Sequence, residues 1–287
     1  MKATPDPRDC FYDSQGLRLH FADWGNEAAP PIILLHGGRD HGRSWDGIAR
    51  ALQPHFHVMA PDLRGHGDSE WAKGSSYSLA DHVYDLTHLV GAGGNAVLVG
   101  HSFGGMIALA FAGTYPDRVS RLAVLDGAFL PTVPSAPIDA RMAEWIAQLD
   151  KVSTSQPRRF RTVEEAAERM SAHNSRLTSE QALHLARHAV RQNADGSFSW
   201  KYDPYQQARA PYRLSRDDYT ALWSRISCPI LLLCGGESFI PDPGKAGILR
   251  HFKQADQEII AGAGHWLHHD EPRDVLAALR LFLDVPE

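Results

Sequence analysis

The chain has 287 residues, of which 43% are hydrophobic and 22% charged, and its formal net charge is -5 with neutral histidines. That balance suits a globular chain with a sizeable core and excludes disordered, collagenous and fibrous classes. The slight acidity gives no footprint for a nucleic-acid partner.

The first ten residues are polar and lack the apolar stretch of a secretory signal. Phe11–Ser14 and Leu17–Asp23 flank Gln15-Gly16 and predict a hairpin. Pro31–Leu35 is a short apolar run ending in His36-Gly37-Gly38, the pattern of a strand buried on both faces and then a tight turn. His55–Ala60 predicts a second such strand, followed by the glycine-punctuated loop Asp62–Ser69, read as a hydrogen-bonded structural loop. Ser78 opens a helical stretch with Leu79, Val83, Leu86 and Val90 on one face. Ala96–Val99 predicts a third buried strand, Phe103–Thr114 a helix packed on a sheet, and Leu122–Leu125 a fourth strand.

From about Pro131 to Ser227 the composition changes to 14 Lys/Arg against 11 Asp/Glu, with helical patterns at Thr162–Ser171 and Thr178–Gln192. Buried-strand patterning resumes at Ile230–Cys234 and Glu258–Ile260, and Asp270–Leu283 predicts a closing helix. The layout is β-α-β-α-β, a helical insertion, then β-α-β-α. Such alternation calls for a mostly parallel sheet flanked by helices, with ligands at the carboxyl ends of the strands. The division is a core of residues 1–130 and 228–287 and an insertion of residues 131–227. No apolar run approaches the roughly 20 residues of a membrane span. Cys10, Cys228 and Cys234 form no CxxC pair or disulfide framework, so the expected location is the cytoplasm.

The strongest chemical signal is Gly100-His101-Ser102-Phe103-Gly104 between a predicted buried strand and a predicted helix. A sharp strand-to-helix turn lifts the serine hydroxyl clear of the sheet and needs small residues two positions to either side. A serine needs an adjacent base. Among 16 histidines, His265 in Gly262-Ala263-Gly264-His265-Trp266 follows the last strand, and its glycines let the loop turn back toward the serine. His268 and His269 are close competitors nearer the helix start. The acid that orients the base comes from either of two strand ends: Asp126, or the Gly235–Asp242 loop with Glu237 and Asp242. Two backbone N–H groups are candidates for an oxyanion hole: Phe103, next after the serine, and the turn at Gly38, with Arg39 second.

Arg158, Arg159 and Arg161 read as a solvated face more readily than as an anion-binding patch, while Trp145, Trp200, Tyr202, Tyr205, Tyr212 and Trp223 fit the lining of an apolar pocket and, for most of them equally well, the core packing of the insertion. Clusters such as Arg39-Asp40-His41 show no metal-ligand spacing.

Taken together, His36-Gly37-Gly38, Asp62–Ser69, Gly100–Gly105 and Gly262–His265 resemble the α/β-hydrolase superfamily over almost the whole chain, in its order Ser, acid, His. The resemblance implies the α/β-hydrolase fold, with the insertion as a helical cap over the active site. One departure stands out: Ser238 occupies the place where the family usually has an acid after its seventh strand. Some members carry the acid after the sixth strand, where Asp126 stands, so Asp126 is preferred, with Glu237 and Asp242 in reserve.

A serine nucleophile sets the chain apart from dehalogenases and epoxide hydrolases, which need Asp there. The resemblance implies a cofactor-free and metal-free serine hydrolase of a small-molecule carboxylic ester, working through an acyl-enzyme. The alternatives are a lactonase or C–C bond hydrolase on the same site and, in another class, a non-catalytic ligand-binding module.

Overall fold

The computed structural model describes residues 6–74, 77–130 and 136–286. The expected start of the insertion at Pro131 and the first five residues lie outside the described residues.

The chain opens with a hairpin of β1 (Arg8–Ser14) and β2 (Leu17–Asp23). Gln15 and Gly16 both sit at positive φ, 50° and 76°, the pattern of a two-residue turn whose twist matches the strands it joins. Next come β3 (Pro31–Leu35), α1 (Asp46–Leu52), β4 (His57–Pro61) and α2 (Leu79–Val90). Ser78 caps α2: its hydroxyl accepts the Asp81 N–H, and the Asp81 carboxylate accepts the Ser78 N–H. Then follow β5 (Ala96–His101), α3 (Phe103–Thr114) and β6 (Val119–Leu125).

The insertion holds α4 (Ile138–Thr154), β7 (Arg159–Phe160), α5 (Val163–His173), α6 (Ser179–Ala189), β8 (Val190–Gln192), β9 (Phe198–Trp200) and α7 (Arg216–Arg225). The chain closes with β10 (Ile230–Gly235), β11 (Ala255–Ile260), α8 (Leu267–Asp270) and α9 (Pro272–Phe282).

Eight strands form one sheet in the order β1-β2-β4-β3-β5-β6-β10-β11. Every pair from β4 to β11 is parallel, and only the β1–β2 and β2–β4 pairs are antiparallel. The sheet is buried on both faces, so its central strands are apolar without alternation. Leu34, Trp45, Val58 and Leu279 belong to one apolar layer, and Ile33, Leu98, Phe111 and Trp223 to the other. Trp223, expected in the packing of the insertion, is thereby spent on the main core. The insertion has a small cluster of its own around Phe160, Ala166, Ala186 and Val190. Among the described residues, no helix is long and apolar enough to cross a membrane.

Three expectations change. The helix predicted to run to Gln192 stops at Ala189, because Val190–Gln192 pairs antiparallel with β9 in a three-stranded sheet that local patterning does not announce. The helix expected between the last two strands is only a 3₁₀ turn, Leu249–His251, after a stretch broken by Pro241, Pro243, Gly244 and Gly247. The closing helix is split at Pro272, which has no N–H to continue a helix and starts α9 instead.

The interior holds an unusual number of neutral histidines, and this sets a pH limit on stability. Burial pushes His41 and His82 down to about 3, with the Arg64 charge adding to the effect at His82. Burial likewise pushes His188 and His269 down to about 4. In the unfolded chain such groups titrate near 6.5. Their folded values lie lower, so their contribution is complete above about pH 6.5 and is lost as pH falls toward 3. At pH 5, His41 and His82, each 2% exposed, cost about 2 kcal/mol apiece. His184, bonded to Asp46, and His20, where Asp62 outweighs burial, shift upward and offset part of the loss. Urea midpoints are expected to fall steeply between pH 7 and 5; a flat profile would mean that water reaches these rings.

Candidate active site

Ser102 stands between the end of β5 and the start of α3, at φ 51° and ψ -115°. A non-glycine residue in this left-handed region is strained and persists only where the surroundings over-determine it. Here they do. A Cβ on Gly100 would lie 2.5 Å from the Gly104 carbonyl oxygen, and one on Gly104 would lie 2.3 Å from that of Leu35. The turn therefore closes only with small residues at both places. The Ser102 N–H donates to the Leu125 carbonyl at 2.9 Å, tying the turn to β6.

The three residues singled out in sequence meet at the carboxyl edge of the sheet. Ser102 Oγ lies 3.0 Å from His265 Nε2, and His265 Nδ1 lies 2.6 Å from Asp126 Oδ2. Asp126 and His265 are buried, and Ser102 is half-buried. Asp126 follows β6 at φ 50°, a conformation that Asp tolerates better than most residues, and its N–H donates to the Leu233 carbonyl at 2.8 Å.

The reserve acids point elsewhere. Glu237 is exposed and ion-paired with Arg176. Asp242 accepts from the Gly244 N–H and from the Gln257 amide, both at 2.8 Å. Neither contacts His265. His268 is buried against Trp45, the ring centroids 4.7 Å apart, and His269 lines a neighbouring cavity.

Two supporting residues were not anticipated. Ser238 donates its hydroxyl to Asp126 Oδ2 at 2.5 Å, the same oxygen that faces His265. The departure at this position marked it in sequence, but its contact with Asp126 was not legible there. His101 lies 2.9 Å from the His265 carbonyl through Nε2, which donates and so fixes the His101 tautomer. Burial keeps the His101 ring well below the usual histidine range. No sequence signal separated it from its neighbours.

The turn after β3 supplies the opposite wall. Arg39 is removed as a donor, because its N–H is spent on His66 Nε2 at 2.9 Å. The Gly38 N–H has no acceptor among the described residues. The Phe103 N–H is the first of α3 and has no partner within the helix. The close approach falls on Gly37 rather than Gly38: a Cβ on Gly37 would come within 2.8 Å of His101 Nδ1 and 3.3 Å of Ser102 Cβ, whereas one on Gly38 would meet nothing within 4 Å. The Asp62 loop braces this turn. Asp62 accepts from the N–H groups of Gly42 at 2.7 Å and Asp68 at 2.8 Å, and the Leu63 N–H donates to His36 Nε2 at 3.0 Å.

Residues without metal-like spacing in sequence come together in space. Asp40, His268 and His269 hold their possible ligand atoms within 4.8 Å of one another, as do Asp46, His184 and His188. In the second group the Asp46 carboxylate already accepts Arg43 at 2.7 to 3.0 Å, which disfavours a cation there.

Comparison with known proteins gives a consistent result. Residues 30–272 match the family described as alpha/beta hydrolase fold. The chain is 30% identical over 278 residues to the mouse (Mus musculus) sn-1-specific diacylglycerol lipase ABHD11, covering 90% of this chain and 82% of that protein. It is 29% identical over 276 residues to Esterase Rv0045c of Mycobacterium tuberculosis, covering 91% and 85%. The solved structure of the hypothetical protein PA1622 from Pseudomonas aeruginosa PAO1 superposes with a TM-score of 0.85 at 24% identity, covering 96% of this chain and 98% of that one. With a doubly covered parallel sheet, the strand-to-helix serine turn and a match over most of its length, the chain belongs to the alpha/beta hydrolase fold family.

Proposed function

We propose that this chain is a serine esterase that cleaves carboxylic esters through an acyl-enzyme. The observation that carries the reading is the unbroken line from Ser102 Oγ to His265 Nε2 and from His265 Nδ1 to Asp126, with contacts of 3.0 and 2.6 Å. Relatives named as an esterase and a lipase support it.

His265, neutral with its proton on Nδ1, accepts the Ser102 proton at Nε2 as the oxygen attacks the carbonyl carbon. The Asp126 carboxylate holds the Nδ1–H and stabilises the imidazolium that forms. The N–H groups of Gly38 and Phe103 receive the oxyanion, and the N-terminal end of α3 adds its partial positive charge. The imidazolium then protonates the leaving alkoxide. In the second half, His265 takes a proton from water as its oxygen attacks the acyl carbon, and the imidazolium returns that proton to Ser102 Oγ as the acid leaves. We infer that residues 131–227 act as a cap, because their elements supply much of the cavity wall beside Gly38.

A fluorophosphonate probe tests the reading directly. It is expected to label Ser102 stoichiometrically, with short p-nitrophenyl esters hydrolysed faster than lactones or ring-cleavage dienoates. A folded chain that neither labels nor turns over any of these is a binding module and not an enzyme.

A further inference from the structure

A cavity of about 560 Å³ opens beside the turn after β3. Gly38 and Trp266 both line it, so a molecule held there lies against the proposed oxyanion donor and against the residue that follows the base in sequence. Five guanidiniums also line it: Arg39 from the turn and Arg158, Arg159, Arg169 and Arg191 from the insertion. Arg159 is paired with Asp195 at 2.8 Å. The other four have no carboxylate partner among the described residues. Arg191 lies over the Trp71 ring, 4.6 Å from its centroid, a contact that restricts its motion.

The five arginines are exposed, and three observations set the concavity they line apart from scattered surface charge. The whole chain is acidic, whereas the insertion that supplies four of the five arginines carries 14 Lys/Arg against 11 Asp/Glu, so positive charge is gathered on this wall. The single carboxyl on the wall is Asp40, one acid against five guanidiniums, and burial pushes it up to about 7. Tyr202 lines the same cavity as Arg39, Arg158 and Arg169; burial raises its phenol, and the three positive charges act to lower it. Like charges on a concave wall focus a positive potential into it. A planar guanidinium recognises carboxylate and phosphate oxygens in pairs.

We propose that this cavity holds the end of the substrate remote from the scissile carbonyl, and that this end carries a carboxylate or a phosphate. The inference rests on the esterase reading above and names its substrate class.

The test compares kcat/KM for four esters: neutral p-nitrophenyl butyrate, mono-p-nitrophenyl glutarate, the same acyl chain ending in a phosphate monoester, and 4-carboxyphenyl butyrate, which places the charge on the alcohol side. At least one charged ester is expected to exceed the neutral one by about tenfold or more at low salt, the scale of a charge-assisted bond. The ester that leads identifies both the anion and the arm that carries it. The preference is expected to shrink in 0.5 M NaCl, because salt screens partly exposed charges.

In the double variant Arg158→Gln/Arg169→Gln the preference is expected to fall about tenfold, with the neutral ester unchanged within about twofold. Turnover of the neutral ester with no preference for any charged one, or an equal loss on all four in the variant, overturns the anion site and leaves the esterase reading intact. If the wild type turns over none of the four and Ser102 resists labelling, the esterase reading fails instead. Calorimetry with glutarate and with inorganic phosphate then decides the anion site: binding lost in the double variant supports it, and no binding to the wild type overturns it.

Discussion

Replacing Ser102 with alanine is expected to lower ester turnover by about 10⁴-fold or more while leaving the protein folded. The hydroxyl contributes one 3.0 Å contact, to His265, and the backbone at this position is held by Gly100, Gly104 and the bond to Leu125, none of which needs the Oγ. The residual rate would come from the Gly38 and Phe103 N–H groups and from the cavity, which still bind and polarise an ester for attack by water. The readouts are kcat on p-nitrophenyl butyrate, loss of fluorophosphonate labelling, and an unchanged thermal midpoint. Activity within tenfold of the wild type, with the fold intact, would remove Ser102 as the nucleophile and with it the acyl-enzyme.

Replacing Asp126 with asparagine tests the least conventional member of the set. Asparagine keeps the size and the tolerance of φ 50° that this position requires, so the turn after β6 is expected to survive. The loss is electrostatic. An amide nitrogen facing Nδ1 would donate where the carboxylate accepts, and the ring proton would move to Nε2, where it confronts the Ser102 hydroxyl instead of receiving its proton. Even with the amide oxygen toward His265, the imidazolium loses its counter-charge. A fall of about 10⁴-fold in kcat is expected, with KM little changed.

Ser238 supplies a second arm to this experiment. Its hydroxyl already reaches Asp126, so in the Asp126→Asn background Ser238→Asp is expected to return part of the lost activity from the neighbouring strand end. Near-normal turnover in Asp126→Asn alone would transfer the role to Glu237, whose pairing with Arg176 would then have to break.

Much of this architecture was legible because its strands are short, apolar and bounded by glycines, prolines and caps. Ser78 and Gln15-Gly16 announced their elements through local chemistry that tertiary contacts did not alter. The errors fell where that local logic is overruled. Val190–Gln192 continues a helical pattern yet pairs with Phe198–Trp200, and such a small sheet carries no periodicity long enough to register. Arg158, Arg159 and Arg161 are exposed, as their pattern suggests, but a linear pattern does not show that Arg158 and Arg159 also line a concavity with Arg39, Arg169 and Arg191.

The sequence by itself determined the strands of the main sheet and their order along the chain, the serine turn and the glycine-bearing loop of His265, because turn geometry, capping and buried-strand patterning are encoded within a few residues of each other. Only the tertiary structure decided which acid faces His265, that the Arg39 N–H is already spent, that His101 and Ser238 brace the line, and that Asp40 meets His268 and His269. These are contacts between residues 27 to more than 200 positions apart, and their existence depends on how strand ends and loops converge at one edge of a sheet, which no local pattern contains.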